Sequence, residues 1–331
     1  MKFIDFFAGI GGFRLGMEMA GHECVGHCEI DKYADKSYRA MHNVKEGEWF
    51  ANDITRIEPG ELPEADCYCG GFPCQSFSIA GKRGGFADTR GTLFFEVMRL
   101  AAVRKPKYLF LENVRGLLSH DGGTTFGAII AAMGECGYDA EWQVLNSKNF
   151  GVPQNRERVF IIGHLRGECG GKIFPIRESD SEVAESNTTK CLNPKDENGK
   201  QPSLNDRVYS ADGVSTAVAT SPFFMGNVIV EGEQPQQVKP GEWGQRLDYM
   251  LSLTSSMGTG GGYVPMVVAS KGIMDNCRIR KLTPKECFRL QGFPDEYFHR
   301  AEKVNSNSQL YEQAGNSVTV NVIYEIAKRF K

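Results

Sequence analysis

Lys2-Phe3-Ile4-Asp5-Phe6-Phe7-Ala8-Gly9-Ile10-Gly11-Gly12 runs directly into an apolar-periodic stretch, Phe13 to Met19. The first six residues read as a buried strand, the glycines as a turn and residues 13–19 as a helix. Strand, turn and helix begin an open α/β sheet. The helix N-terminus, with free N–H groups behind a turn that lets a ligand approach closely, makes a cradle for a nucleotide-like cofactor. The spacing Phe7-x-Gly9-x-Gly11-Gly12 departs from G-x-G-x-x-G and leaves less room for a pyrophosphate. Taken alone, such a turn also fits an ordinary strand–helix connection.

The next strands extend this reading. Glu23 to Cys28 reads as a second strand ending at Glu29-Ile30-Asp31. An acid there, roughly twenty residues past the glycine turn, is placed for ribose hydroxyls. Of the two acids, Glu29 takes the ribose role and Asp31 caps the helix predicted over Lys32 to Asn43. Ile30 offers an apolar surface for an adenine. A third strand ends at Asn52-Asp53-Ile54, suited to the adenine edge.

Ala65-Asp66-Cys67-Tyr68-Cys69 reads as another buried strand, followed by Gly70-Gly71-Phe72-Pro73-Cys74-Gln75-Ser76-Phe77-Ser78. A thiol on a turn at a strand end faces a cleft, where nucleophiles sit in open α/β sheets. Most cysteines are instead small buried hydrophobes. Residues 79–91 are glycine-rich, basic and aromatic. They fit a solvated loop, or a mobile lid whose Lys82, Arg83 and Arg90 meet phosphates. A helix with Leu93, Val97, Leu100 and Ala101 on one face leads to the strand Tyr108-Leu109-Phe110-Leu111 and then Glu112-Asn113-Val114. Strand–helix–strand units are parallel and right-handed, so Cys74 and Glu112 are expected at one rim of the sheet. A nucleophile beside a buried carboxyl suits chemistry that needs a proton donor as well. Farther on, Arg156 and Arg158 alternate with Glu157 before the strand Val159 to Gly163. Both arginines can then point one way, although a surface ion-pair strip has the same pattern.

Composition narrows the class. The chain has 331 residues, 41% hydrophobic and 24% charged, with a net charge of −3. That is ordinary for a soluble globular protein large enough for two domains. No apolar run reaches membrane-span length and no basic-then-apolar leader opens the chain, so a cytoplasmic protein is expected. Ten cysteines without a C-x-x-C pair point to free thiols rather than disulfides or structural zinc. No metal is expected. The small negative charge does not advertise nucleic-acid binding, but a local basic cleft matters more than the total.

Asp5-Phe6-Phe7-Ala8-Gly9-Ile10-Gly11-Gly12, Gly71-Phe72-Pro73-Cys74-Gln75-Ser76-Phe77-Ser78, Glu112-Asn113-Val114, Gln154-Asn155-Arg156-Glu157-Arg158, Arg280 to Cys287 with Gln291-Gly292-Phe293-Pro294, and Gly315-Asn316-Ser317-Val318 occur in that order. This set resembles the prokaryotic DNA (cytosine-5)-methyltransferases. The resemblance covers residues 1–165 and 279–331, with no departure at a catalytic position. It implies a Rossmann-like sheet of the S-adenosylmethionine-dependent methyltransferases with a smaller, mostly irregular or β target-recognition domain. It further implies transfer of a methyl group to C5 of a flipped-out cytosine in a specific double-stranded DNA sequence. By resemblance Cys74 is the nucleophile at C6, Glu112 protonates N3, Arg158 contacts O2 and Arg156 helps hold the site. The cofactor contacts implied are Phe7, Gly9, Gly11, Gly12, Glu29, Ile30, Asp53, Ile54, Pro73, Leu93, Asn316, Ser317 and Val318. The DNA side takes Gln75, Ser76 and Ser78 with Lys82, Arg83 and Arg90. A monomer is expected, with a cognate restriction endonuclease acting separately if one exists.

The expected domains are 1–175 with 300–331 for catalysis and cofactor, and 176–299 for target recognition. In the latter, residues 213–221 followed by Asn227-Val228-Ile229-Val230 faintly echo 249–255 followed by Tyr263 to Val268; two similar hairpins and chance both fit. Thr283 and Pro284 start a helix. The last helix is expected from Asn316 to Phe330. Three other readings compete: a nicotinamide-dependent dehydrogenase, which leaves Cys74, Glu112 and the arginines idle; an RNA cytosine-5 methyltransferase with the same chemistry; and a DNA-binding protein that has lost catalysis, against which intact Cys74 and Glu112 argue.

Overall fold

Alternating apolar runs and helical periods build a three-layer α/β unit in the computed structural model, which describes residues 1–73, 93–168, 171–177, 208–210, 228–230, 266–269 and 278–330. The order is β1 (Lys2–Phe6), α1 (Gly12–Met19), β2 (Glu23–Cys28), α2 (Lys32–His42), β3 (Trp49–Ala51), β4 (Cys67–Gly71), α3 (Leu93–Arg104), β5 (Tyr108–Val114), α4 (Thr124–Glu135), β6 (Tyr138–Asn146) and β7 (Glu157–Leu165). Short strands β8 (Val208–Ser210), β9 (Val228–Val230), β10 (Met266–Ala269) and β11 (Arg278–Lys281) follow. The chain ends with α5 (Pro284–Leu290), α6 (Asp295–Ala301), α7 (Asn307–Asn316) and α8 (Val320–Ala327).

Seven strands form one sheet in the order β3-β2-β1-β4-β5-β7-β6. β1 to β5 are parallel, and β7 runs antiparallel to both β5 and β6. The strands are apolar on both faces because both faces are covered. Ile4, Phe6, Tyr68, Leu109, Leu111 and Ile161 pack under α3 and α4. Phe3, Cys67, Cys69, Phe110, Phe160 and Ile162 pack under Phe13 and Met17 of α1 and Val322, Ile323 and Ile326 of α8.

Six of the cysteines, Cys24, Cys28, Cys67, Cys69, Cys136 and Cys287, are buried free thiols. Burial pushes Cys24, Cys28 and Cys287 up to about 12, so these thiols stay protonated and inert.

The C-terminal elements differ from the sequence reading. Thr283 caps α5 in a reciprocal capping box with Glu286, and Pro284 occupies the first turn as expected. Leu282, Cys287, Phe288, Phe293 and Phe298, however, share a core with Ile10, Leu15, Met41 and Val320. Residues 282–298 therefore pack with the sheet unit, on the other side of the boundary read at residue 299. The final helix is shorter than expected. Asn316 closes α7, and an extended Ser317-Val318-Thr319 link separates it from α8 at Val320. The valine runs of the suspected echo are strands but pair differently: β9 is parallel to β8, and β10 is antiparallel to β11. Residues 213–221 and 249–255 lie outside the described residues. Among the described residues no helix is long and apolar enough to cross a membrane.

Candidate active site

Parallel pairing of β4 with β5 sets Gly71 beside Glu112. The contact is close enough that a Cβ on Gly71 would lie 2.8 Å from Glu112 Oε2, so only glycine leaves the carboxyl its place. Cys74 is three residues farther on and lies outside the described residues, as do Gln75, Ser76, Ser78, Lys82, Arg83 and Arg90. The chain entering that segment is fixed from β5. Asn113, buried, donates from Nδ2 to the carbonyl of Phe72 at 2.8 Å and accepts from the N–H of Val114 with Oδ1. The sequence gives Asn113 no role by itself; its place directly after Glu112 is the signal that points to it. Pro73, exposed, is the last described residue of this strand end.

β7 lies antiparallel on the other side of β5 and brings the arginines. Phe160 is opposite Glu112, and Arg158, two residues before it, is the diagonal neighbour on the same face. Arg158 Nε meets Glu112 Oε1 at 2.9 Å. Glu157 points the other way, to Arg115 at 2.6 Å near the surface. The alternation read from sequence is realised, and the arginines belong to a buried site rather than a surface strip. Arg156 is 4% exposed and donates from Nη2 to the carbonyls of Gly315, 3.1 Å, and Ser317, 2.9 Å. Glu112 is 8% exposed. Burial raises its carboxyl above the usual range, while Arg158 and Arg156 pull it back. The result is a carboxyl that holds its proton more firmly than an ordinary carboxyl and is aimed by a guanidinium.

The second half of the site lies where β1, β2 and β3 end. Phe7 adopts a left-handed φ of 54° and turns the chain into the glycine stretch. Gly9 N–H donates to Glu29 Oε2 and Asp31 N–H to Glu29 Oε1, both at 2.7 Å. Burial raises the Glu29 carboxyl, and these two N–H groups oppose the rise. Asp31 caps α2 through the N–H groups of Tyr33 and Ala34, as the sequence predicted. Ile30 is 76% exposed, an uncovered apolar side chain at a strand end. Asp53 accepts from Thr55 N–H and Oγ1, bonds that hold its pKa below the ordinary carboxylate value.

The expected cofactor residues of this half differ in their surroundings. Gly11 and Gly12 lie against packed side chains. A Cβ on Gly11 would fall 2.1 Å from His42 Nε2, and one on Gly12 would fall 2.8 Å from Val318 Cγ2, so both make room for packing. Gly9 alone of the three has nothing within 4 Å of a built Cβ. Ile54 is buried in the core, and its carbonyl accepts from Arg99 Nη2 at 3.2 Å. Leu93 starts α3 half-buried against the same core. Of the C-terminal three, Asn316 is exposed, whereas Ser317 and Val318 are buried beside Gly12 and Arg156.

A space beside Gly9, an anchored carboxylate and an uncovered apolar surface on adjacent strand ends fit an adenosine-bearing cofactor. They adjoin, through Val318 and Gly71, a buried acid with two arginines. A model of the C-5 cytosine-specific DNA methylase family matches residues 1–331. The chain belongs to this family. It is 36% identical to the type II methyltransferase M.HhaI of Haemophilus parahaemolyticus, over 99% of this chain and 93% of that one. It is 37% identical to M.Bsp6I of a Bacillus strain, over 99% and 98%, and 32% identical to the orphan methyltransferase M.SPRI of Bacillus phage SPR, over 99% and 97%. In fold it resembles the Dnmt2 methyltransferase of S. pombe, with a TM-score of 0.62, 17% identity and coverage of 98% and 96%. A prophage-encoded putative DNA modification methyltransferase of E. coli gives 0.57 at 19% identity, covering 99% and 97%. As a C-5 cytosine-specific DNA methylase, the chain is an enzyme that transfers a methyl group from S-adenosylmethionine to C5 of cytosine in DNA. Family membership decides against the dehydrogenase and in favour of DNA over RNA.

Proposed function

We propose that this methylase works through a covalent bond from Cys74 to C6 of a cytosine flipped out of a specific double-stranded site. The observation that carries the reading is Glu112: buried, raised in pKa, held by Arg158 and set against the strand end that leads into Cys74. Cytosine C5 is a poor nucleophile. As the Cys74 thiolate adds to C6, the Glu112 proton passes to N3 and C5 becomes enamine-like. Arg158 aims Glu112 and reaches toward O2; Arg156 anchors the strand that carries Arg158. When bound, S-adenosylmethionine supplies the electrophilic methyl group that C5 takes up. Transfer of the C5 proton to a base then expels the thiolate, N3 returns its proton to Glu112, and the aromatic ring is restored. Gly9, Glu29, Ile30 and Asp53 would hold the adenosine half, with Phe7, Ile54, Pro73, Leu93 and Asn316 around it.

The related type II enzymes support a sequence-specific duplex target, a separately acting restriction endonuclease and residence in a bacterial cytoplasm; a monomer serves this chemistry. The shared cores, which take in Ile176 and everything from Leu282 onward, support a domain division of 1–176 with 282–331 against 177–281.

The test replaces the target cytosine with 5-fluorocytosine, whose fluorine cannot leave as a cation. With cofactor present the wild-type protein should form a denaturant-resistant complex with DNA. Cys74→Ser should form none, because an alcohol is far less acidic than a thiol of pKa about 8.5. Glu112→Gln should form it at least ~100-fold more slowly, the scale of general acid catalysis. A stable adduct with Cys74→Ser protein would refute the nucleophile.

A further inference from the structure

Three polar side chains between β6, α5 and α8 are buried, and the reaction scheme above does not use them. Ser147 is 3% exposed, Gln291 is fully buried and Thr319 is 3% exposed. Ser147 Oγ and Thr319 Oγ1 are 2.8 Å apart, Thr319 Oγ1 donates to Gln291 Oε1 at 3.1 Å, and Gln291 Nε2 donates to the carbonyl of Ala314 at 2.7 Å. The Thr319 proton goes to Gln291, so the single Ser147 hydroxyl proton is shared between two acceptors, Thr319 Oγ1 at 2.8 Å and the Arg156 carbonyl at 3.3 Å. The two ends of this chain of bonds clasp Arg156. At one end, Ser147 N–H donates to the Arg156 carbonyl at 3.1 Å and Asn146 Oδ1 accepts from the Arg156 N–H at 3.1 Å. At the other, Gln291 ties residues 314 and 319 together, and its own carbonyl accepts from Val320 N–H at 2.9 Å. The stretch so tied supplies the Gly315 and Ser317 carbonyls that receive the Arg156 guanidinium.

We infer that Ser147, Thr319 and Gln291 are positioning residues for the methyl-transfer reaction, acting on Glu112 through Arg156. The inference rests on the proposed role of Glu112. Gln154 contributes from the same side, donating to the Leu290 carbonyl at 2.9 Å and so joining the arginine loop to the end of α5. A relay confined to backbone stitching would only add stability. This one ends on a guanidinium whose charge acts on the catalytic carboxyl, so loosening it should alter chemistry as well as folding.

Thr319→Val removes the hydroxyl at nearly constant volume and interrupts the relay at its centre. Among the described residues, the charged groups that face Glu112 are Arg158 and Arg156, both from the β7 segment, and each pulls its pKa down. If Arg156 drifts, that pull weakens, Glu112 keeps its proton to higher pH, and the alkaline limb of the pH–rate profile moves up. Thr319→Val should therefore lower kcat about tenfold, shift that limb upward and leave cofactor affinity unchanged, while Thr319→Ser should behave like the wild type. A folded Thr319→Val protein with unchanged kcat would overturn the inference. So would a lowered kcat with an unmoved limb, or a Thr319→Ser protein equally impaired, since either result marks a packing role. Should Thr319→Val not fold, Ser147→Ala, which leaves the Thr319–Gln291 bond in place, is read by the same criteria. Glu112→Gln serves as the reference: if it stays active, the underlying reading of Glu112 fails, whereas an inactive Glu112→Gln beside an unaffected Thr319→Val overturns only the relay.

Discussion

Asp5 shows how far one residue can depart from its sequence class. It lies in a strand of Phe and Ile and is fully buried, with the Tyr38 hydroxyl 3.5 Å from Oδ2 and no hydrogen bond to Oδ1 among the described residues. Burial raises its pKa well above the ordinary value, against the pull of Arg14. A raised folded-state pKa means that the proton contributes stability fully present below the unfolded value, about 3.9, and lost as pH rises through the folded one. Asp5→Asn imitates the protonated form. Its denaturant midpoint should therefore fall less than the wild type's as pH rises above about 4. Parallel curves for the two proteins would show that Asp5 does not carry this titration.

At the scale of elements, the turn joining β1 to α1 does two jobs with different glycines. Gly11, at φ 79°, lies under the ring of His42, which donates from Nε2 to the Ile10 carbonyl at 3.0 Å; burial lowers this histidine to about 3, so the ring is neutral. Gly9, at φ 54°, faces open space. Alanine at Gly11 meets both strain and a ring, and should cost more than the roughly 1–3 kcal/mol of backbone strain alone. His42→Ala should recover part of that loss by removing the obstacle. Alanine at Gly9 should cost about 1–2 kcal/mol of stability, the left-handed penalty, yet weaken cofactor binding more than the Gly11 variant does. Denaturant melts and calorimetric titration with cofactor separate the two; equal cofactor affinities would place the ligand elsewhere.

At the scale of the molecule, the catalytic unit is closed by chain that arrives late in the sequence. α8 covers the sheet beside α1, and residues 282–298 complete a core with Ile10, Leu15 and Met41. On the proposed division, residues 177–281 are an insertion into a unit whose cores include Ile176 and Leu282. Exchanging 177–281 for the matching segment of a relative should move the methylated DNA sequence and keep 5-methylcytosine as the product. Base-resolution sequencing of the methylated DNA reads both, and persistence of the original site would place recognition in the catalytic unit. An exchange that begins at 177 but extends to 299 should cost folding, because it replaces Phe288, Phe293 and Phe298 in a core they share with α1 and α2.

Local signals alone determined much of this protein. Strand hydrophobicity, the glycine turn, the Asp31 and Thr283 caps and the alternation of Arg156, Glu157 and Arg158 depend on neighbours a few residues apart, and all appear where the chain predicted them. Order along the chain was enough to place Glu112 at the end of a parallel strand beside the strand leading to Cys74, because parallel connections have one hand. Long-range contacts decided the rest. Whether a glycine yields to a ligand or to a ring depends on His42, some thirty residues away, and on Val318, some three hundred away. The same holds for Leu282 to Phe298, whose apolar pattern says that they are buried but not against what, and for Ser147, Thr319 and Gln291. A serine, a threonine and a glutamine carry no periodic signal; only a fold that buries all three against the Arg156 loop turns them into a connected set, since in water each would be satisfied separately.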